Sequence, residues 1–199
     1  MDKKIILALI IIICTYQYWT GRSIYRPAGV MVSEQPEQKI LPDDMLSIKF
    51  KDVLIKRLAD FKMKARVIST EKYWLGQTAA VAPVDVAFGW NQMSDSAFLD
   101  KLNMSQSNRF YFYRYDNEGI HGIDPSVIIK NSANMHLIPS TKDIENKIKK
   151  LRPGHIVNLS GQLVRVDFKD GTDMKSSLTR DDTGAGACEV VWVTSLDMQ

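Results

Sequence analysis

Residues 176–193 read SSLTRDDTGAGACEVVWV and form the most informative pattern in the chain. The first part of this stretch is rich in hydroxyls, charges and glycines, which is typical of a loop. The second part, residues 188–193, is a run of β-forming residues and predicts a buried strand. Because β domains often carry their sites on long polar loops joined to core strands, we expect a functional site near this stretch. No reaction follows from these residues alone.

The small residues of the loop, at positions 184–187, let the backbone fold tightly. A tight loop presents backbone donors that carboxylates can accept. We therefore expect at least one of Asp181 and Asp182 to bond backbone N–H groups of the loop or Arg180, and Cys188 to point into the core. Arg180, Asp181 and Asp182 are accordingly candidate binding residues.

The composition is that of an ordinary globular protein. The 199 residues are 45% hydrophobic and 25% charged, with a formal net charge of +3. The basic residues are spread along the chain, whereas nucleic-acid binding calls for a clustered basic face, so a nucleic-acid partner is not expected. The two cysteines, Cys14 and Cys188, lie in different parts of the chain and are not expected to form a disulfide.

The N-terminus has a charged start followed by an apolar run over residues 5–14 and by Tyr16, Tyr18 and Trp19. This pattern predicts a transmembrane anchor over residues 5–22, with the aromatic residues at the membrane interface and the bilayer as a partner. A cleaved signal peptide and a core helix are the alternatives. The predicted organisation is a cytoplasmic segment 1–4, the anchor, a linker 23–44 and one extracytoplasmic domain 45–199. A location at the bacterial inner membrane, with this domain in the periplasm, is implied only by the resemblance described below.

Hydrophobic periodicity predicts the fold of the domain. Residues 61–67 alternate apolar and basic, residues 109–115 have strong β propensity, and a phase shift beside Gly161 within residues 155–168 indicates a bend. Residues 140–151 form the clearest helix. We predict a mostly β, α+β fold: an antiparallel sheet or a partly closed small barrel, with an OB-like barrel as one option and one or two covering helices.

Two residues are candidates for chemistry because of their apolar surroundings. Asp85 is the one acid in residues 83–90, and a buried carboxylate must be paired or have a shifted pKa. A structural carboxylate that accepts backbone N–H groups is the favoured interpretation, and a catalytic or ligand-holding residue is the alternative. His136 also has apolar neighbours, and a hydrogen-bonded core histidine is favoured over a catalytic base.

Aromatic residues give a further set of candidate binding residues: Trp90, Tyr111 and Tyr113. The tyrosine face of residues 109–115 can stack on bases or sugars, although packing against a neighbouring element is favoured. The histidines and Cys188 lack ligand spacing, so no metal or cofactor is predicted.

Several motifs together resemble a family of uncharacterised, membrane-anchored proteins of Gram-negative bacteria. The motifs lie in residues 65–69, 83–95, 105–111, 132–139 and 176–193, and the resemblance covers most of residues 48–193. It implies a location in the bacterial envelope and no particular activity.

Three functions remain open. The favoured one is a non-catalytic envelope domain that binds a protein partner. The second is a hydrolase with His136 as base, Asp85 or Asp181 as the orienting carboxylate, and Ser176, Ser177 or Cys188 as nucleophile. The third is an OB-like domain that binds an oligosaccharide or another polymer across the tyrosine strand. Convergence of His136, Asp85 and the loop of residues 179–188 in one concave pocket would favour the enzyme, an exposed aromatic groove would favour polymer binding, and neither would favour the partner-binding domain.

Overall fold

The computed structural model describes residues 3–42, 47–114, 123–179 and 188–199, with the side chains of residues 13 and 16–20 left aside. The helices are α1 Lys3–Gly21, α2 Gln77–Val81, α3 Ser96–Leu99, α4 Pro125–Asn131 and α5 Lys142–Lys149, with a 3-10 helix at Asn91–Ser94. The strands are β1 Glu37–Ile40, β2 Ile48–Phe50, β3 Val53–Lys72, β4 Val84–Gly89, β5 Asn103–Ser107, β6 Phe110–Arg114, β7 Ser132–Pro139, β8 Ile156–Asp167, β9 Asp173–Lys175 and β10 Glu189–Met198.

Five strands form a closed path in the order β3-β4-β7-β10-β8, and β8 pairs again with β3. The pair β7–β10 is parallel, and the other pairs of the path are antiparallel. The predicted mostly β, α+β fold is confirmed, with a mixed sheet. Five strands closed in this way, with a helix between the third and fourth, make the small OB-like type of barrel.

Closure depends on β3, which is long enough to pair with two neighbours. Residues 54–66 of β3 pair with β8, and residues 66–72 pair with β4. Gly161 lies at a close approach of β8 to β10: an ideal Cβ at this position would lie 2.0 Å from the backbone oxygen of Trp192. The register of β10 shifts directly opposite, between Val193 and Ser195. Only a residue without a side chain allows the two strands to approach this closely.

The barrel interior is filled by alternate apolar residues of its strands. Val84 and Val86 of β4 and Leu137 of β7 belong to this core, and α5 packs onto it through Ile144 and Ile148. The helix begins after Thr141, whose side chain accepts a hydrogen bond from the backbone N–H of Ile144. The helix predicted over residues 140–151 is therefore present but shorter, Lys142–Lys149.

The predicted transmembrane helix is wrong. Within the described ranges, no helix is long and apolar enough to cross a membrane. Helix α1 spans 19 residues, but it begins with two lysines and its last turns contain Thr15 and Gln17. Its uninterrupted apolar run, residues 5–14, is about half of the roughly 20 residues that a span requires.

Two further predictions differ from the structure. The stretch predicted as a linker contacts the barrel: β1 pairs with β3, the backbone N–H of Ile24 donates to the carbonyl of Pro153, and Val32 is buried. Strand β6 does not join the main sheet but pairs with β5 in a separate hairpin. β propensity identifies a strand but contains no information about its partner, which here is its neighbour in sequence.

Candidate active site

A cluster of polar side chains lies between the outer face of the barrel and the β5–β6 hairpin. We call Asp85, Arg109, Asn134, His136 and Cys188 the polar cluster. Asp85 on β4 and His136 on β7 are direct cross-strand partners. Side chains alternate along a strand, so both point away from the interior that holds Val84, Val86 and Leu137. The apolar run of β4 thus places a carboxylate on the face that the hairpin covers.

Asp85 is fully buried and is held by cationic side chains. Its Oδ1 accepts a hydrogen bond from Arg109 Nη1 at 2.7 Å and lies 2.9 Å from His136 Nδ1. The contact with His136 is a short ion pair between the carboxylate and the imidazolium. The partners of Asp85 are therefore side chains, and not the backbone N–H groups favoured from the sequence.

His136 connects Asp85 with Cys188. Burial lowers the pKa of His136, but hydrogen bonds to Asp85 and Cys188, together with the charges of these groups, raise it to about 9. The imidazole is therefore held in its protonated form near neutral pH. A carboxylate on one side and a sulfur on the other is the arrangement that orients a histidine for proton transfer.

Cys188 lies immediately before β10, beside β7 in the barrel. It is half-buried, and its sulfur contacts polar groups: Asn134 Nδ2 at 3.7 Å and the carbonyl oxygen of Arg109 at 3.8 Å. The backbone N–H of Ser177 donates to the carbonyl of Cys188 and joins the two ends of the polar loop. The expectation that Cys188 points into the hydrophobic core is therefore wrong, because the core positions of this strand begin further on, with Val190 and Val191.

Arg109 was not identified as a site residue from the sequence. It occupies the two-residue turn of the β5–β6 hairpin, where Asn108 has φ +52° and Arg109 has φ +71°. This left-handed conformation is uncommon for a residue other than glycine, and it persists where surrounding contacts enforce it. Asn108 and Arg109, between two β-forming runs, were a signal of a turn. Nothing in the sequence indicated which residue the side chain of Arg109 contacts.

Contacts on every side hold the guanidinium of Arg109. Besides Asp85, Nη1 donates to the carbonyl of Ala82 at 2.9 Å, and Nη2 donates to Thr78 Oγ1 at 3.3 Å. The guanidinium lies over the ring of Tyr73, 3.7 Å from its centroid, and the Tyr73 hydroxyl accepts the Arg109 backbone N–H. The segment after β3, helix α2 and the hairpin turn thus meet at one side chain.

Other residues predicted for the site lie elsewhere. Ser176 and Ser177 are buried in local hydrogen bonds: Ser176 Oγ donates to the carbonyl of Ser177, and Ser177 Oγ donates to the carbonyl of Thr179. Trp90 is buried in a small core with Val32. Arg180, Asp181 and Asp182 fall outside the described residues, so the predictions made for them stay predictions.

The tyrosines of β6 face the protein. The hydroxyl of Tyr111 hydrogen-bonds Ser132 Oγ at 2.7 Å, and burial raises its pKa. Tyr113 packs in a core with Met104. The exposed aromatic residues of this strand are instead Phe110 and Phe112. The favoured interpretation of the tyrosine face, packing, agrees with these contacts.

No family model, curated protein or solved structure matches the chain. Among the described residues, no group of three or more His, Cys, Asp and Glu side chains could hold a metal ion. What the cluster can do therefore has to be argued from its own geometry. It contains a nucleophile, a histidine in contact with it and a carboxylate behind the histidine, which are the three parts of a nucleophilic catalytic site.

Proposed function

We propose that the domain is a cysteine-dependent acyl hydrolase, in which Cys188 is the nucleophile, His136 transfers protons and Asp85 orients His136. One observation supports the proposal above the others: Cys188, immediately before β10, His136 on β7 and Asp85 on β4 are neighbours across adjacent strands. The residues are far apart in sequence, and their convergence is the feature that favours the enzyme over the other two functions.

The proposed reaction uses the thiolate form of Cys188, with the protonated His136 beside it. The sulfur attacks the carbonyl carbon of an ester, a carbon–sulfur bond forms, and the carbonyl π electrons move onto oxygen. When this intermediate collapses, the bond to the leaving oxygen breaks and that oxygen takes the proton of His136. A thioester of Cys188 and a neutral imidazole remain.

Water completes the cycle. A water molecule attacks the thioester carbonyl through its oxygen while His136 takes a proton from it. The carbon–sulfur bond then breaks, and its electron pair stays on sulfur. The carboxylic acid leaves, and the imidazolium–thiolate pair is restored. The ester and one water are converted into an acid and an alcohol, with no oxidant or cofactor required.

The position of the cluster on the barrel adds support by analogy of fold. OB-like barrels bind ligands on the face of their second and third strands, next to the loops after the first and fourth strands. Here the second and third strands are β4 and β7, and Tyr73 and Cys188 come from the two corresponding loops. The analogy concerns the position of the site and not the reaction.

A partner-binding role is the second candidate function. It is supported by Trp74 and Leu75, which are 78% and 90% exposed at the end of β3. Large apolar side chains this exposed are typical of contact surfaces. The location in the bacterial envelope rests on the resemblance alone. Partner binding does not need a thiol. The second function is therefore favoured if a Cys188→Ser protein restores every phenotype of a deletion strain and the double variant Trp74→Ala, Leu75→Ala does not.

The test of the enzyme uses the small number of cysteines in the chain. A Cys14→Ser protein has Cys188 as its only thiol. We expect iodoacetamide to alkylate this thiol at neutral pH much faster than it alkylates glutathione, and p-nitrophenyl acetate to give a burst with an acetyl group on Cys188, identified by mass spectrometry. Cys188→Ser should abolish the burst, and His136→Gln should slow alkylation.

His155→Gln is the matched control. His155 is the other histidine among the described residues, and it lies at the start of β8, where its Nδ1 accepts the backbone N–H of Arg152. This variant should leave alkylation and the burst unchanged. The proposal is wrong if Cys188 reacts no faster than glutathione and His136→Gln makes no difference.

A further inference from the structure

A chain of side-chain hydrogen bonds ends at the sulfur of Cys188. Ser69 Oγ donates to Gln106 Oε1 at 2.7 Å, and Gln106 Nε2 donates to Asn134 Oδ1 at 2.8 Å. Asn134 Nδ2 then donates to the carbonyl of Arg109 at 2.9 Å and to Cys188 Sγ at 3.7 Å. The chain crosses from β3 through the hairpin to β7, and none of its members has a part in the proton transfers described above.

The orientation of each amide in this series of hydrogen bonds follows from which atoms can donate and which can only accept. The carbonyl oxygen of Arg109 can only accept, so the amide atom of Asn134 beside it must be the nitrogen. Gln106 must then present its own nitrogen to Asn134 Oδ1, and its oxygen faces the Ser69 hydroxyl. The amide of Asn134 is thereby prevented from turning, and a donor is always directed at the sulfur.

We propose that Asn134 is a catalytic residue that stabilises negative charge on the sulfur of Cys188, and that Gln106 positions its amide for this purpose. The inference rests on the proposed function, because it concerns the charged form of the nucleophile. The same donor acts twice in the cycle, on the attacking thiolate and on the thiolate that leaves when water hydrolyses the thioester. Hydrogen bonds to a charged group are stronger than those between neutral groups, so the contact favours the thiolate over the thiol.

The charged and titratable groups around the sulfur come from every neighbouring element. His136 of β7 contacts it, Asp85 of β4 lies behind His136, Arg109 and Tyr73 lie on the hairpin side, and Glu189 follows in sequence. None of these residues is changed in the Asn134 and Gln106 variants, so an effect of Asn134 can be separated from theirs.

The test measures the rate of alkylation of Cys188 against pH in the Cys14→Ser protein. Asn134→Asp replaces the donor with a carboxylate of the same shape, and we expect the midpoint of the profile to rise by about one pH unit or more, with alkylation at neutral pH about tenfold slower. Asn134→Ala removes the donor without adding charge and should raise the midpoint by a smaller amount. Asn103→Asp, an exposed Asn-to-Asp change on the same hairpin, is the matched control and should leave the profile unchanged.

Gln106→Glu tests the positioning role, since Gln106 makes no hydrogen bond to Cys188 among those described. The introduced carboxylate repels Asn134 Oδ1, so the amide is no longer held with its donor toward sulfur, and the midpoint should rise although Asn134 is intact. Profiles of both Asn134 variants that coincide with the parent profile would overturn the inference while leaving the proposed function in place. A parent profile that His136→Gln does not move would overturn both. Thermal unfolding of each variant shows that the comparison is made between folded proteins.

Discussion

The ion pair of Asp85 and His136 predicts a specific dependence of stability on pH. The pKa of His136 is about 9 in the folded protein, against 6.5 for an ordinary histidine. A group with a raised pKa in the folded state stabilises that state fully below its unfolded pKa. The contribution is lost as pH rises toward the folded pKa, because the unfolded chain releases its proton first. For this test the parent protein is Cys188→Ser, so that no thiol at this position titrates in the same range, and its free energy of unfolding should fall between about pH 6.5 and 9.

The magnitude follows from the difference between the two pKa values. About two and a half pH units at about 1.4 kcal/mol per unit correspond to a loss of about 3 kcal/mol. For a chain of this size each kcal/mol changes the melting temperature by about 2–4 °C, so the protein should melt roughly 6–12 °C lower at pH 9 than at pH 6.

The assay is thermal unfolding of the parent protein and of Asp85→Asn over this pH range, with the histidine ring proton followed by NMR in parallel. Asp85→Asn removes the largest contribution that raises the pKa of His136, so burial should dominate and most of the fall should disappear. His155→Gln is the control. Burial, Arg152 and Arg26 lower the pKa of His155, so it titrates below the window and its loss should leave the profile above pH 6.5 unchanged. The reasoning fails if the parent protein melts at the same temperature at pH 6 and pH 9, or if Asp85→Asn shows the same fall as the parent.

Two further predictions concern the scaffold. Ser94 is fully buried, and its Oγ accepts the backbone N–H groups of residues 31 and 32, so Ser94→Ala should cost about 1–3 kcal/mol in urea unfolding while the exposed Ser33→Ala costs almost nothing. Gly161→Ala would drive a methyl group into a backbone oxygen of β10 and should cost about 2 kcal/mol or more by the same measurement. Gly21→Ala, where a Cβ meets nothing within 4 Å, is its control, and equal stability of the two glycine variants would contradict the close approach of β8 and β10.

Periodicity predicted the strands well where one face of a strand is buried. Residues 61–67 alternate because β3 has the barrel interior on one side, with Phe61, Met63 and Ala65 buried. The phase shift after Gly161 was also visible, and it arises because Val164, Val166 and Phe168 belong to a second core, whereas Val157, Leu159 and Leu163 belong to the first. Pairing was not predictable in the same way. The sequence of β6 favours a strand without specifying which strand it pairs with. Its position in a separate hairpin follows from a two-residue turn that contains an arginine.

The site was predicted in its parts and not in its arrangement. An acid in an apolar run indicated that Asp85 is buried and paired, which is correct. Its partners were not predictable, because His136 becomes its neighbour only through the register of β4 and β7. Arg109 reaches Asp85 only because the hairpin inserted between these strands folds back over them. Such contacts depend on the pairing register of two strands and on how the inserted hairpin folds back over them. They leave no periodic pattern in a short stretch of the sequence.

The energetic cost of the polar cluster supports a functional role for it. Asp85 is fully buried, the side chain of Arg109 is 20% exposed and His136 is nearly buried, so all three lose much of their hydration. Buried charged groups of this kind are often replaceable by apolar residues without loss of stability, whereas removal of one partner leaves an uncompensated charge and costs about 3–5 kcal/mol. We therefore expect Asp85→Ala to be strongly destabilised in urea unfolding. The combined variant Asp85→Val, Arg109→Met and His136→Leu should recover most of that loss while Cys188 becomes an ordinary, slowly alkylated thiol. If the combined variant is instead less stable than Asp85→Ala, the cluster is required for the fold, and its composition is no longer an argument for catalysis.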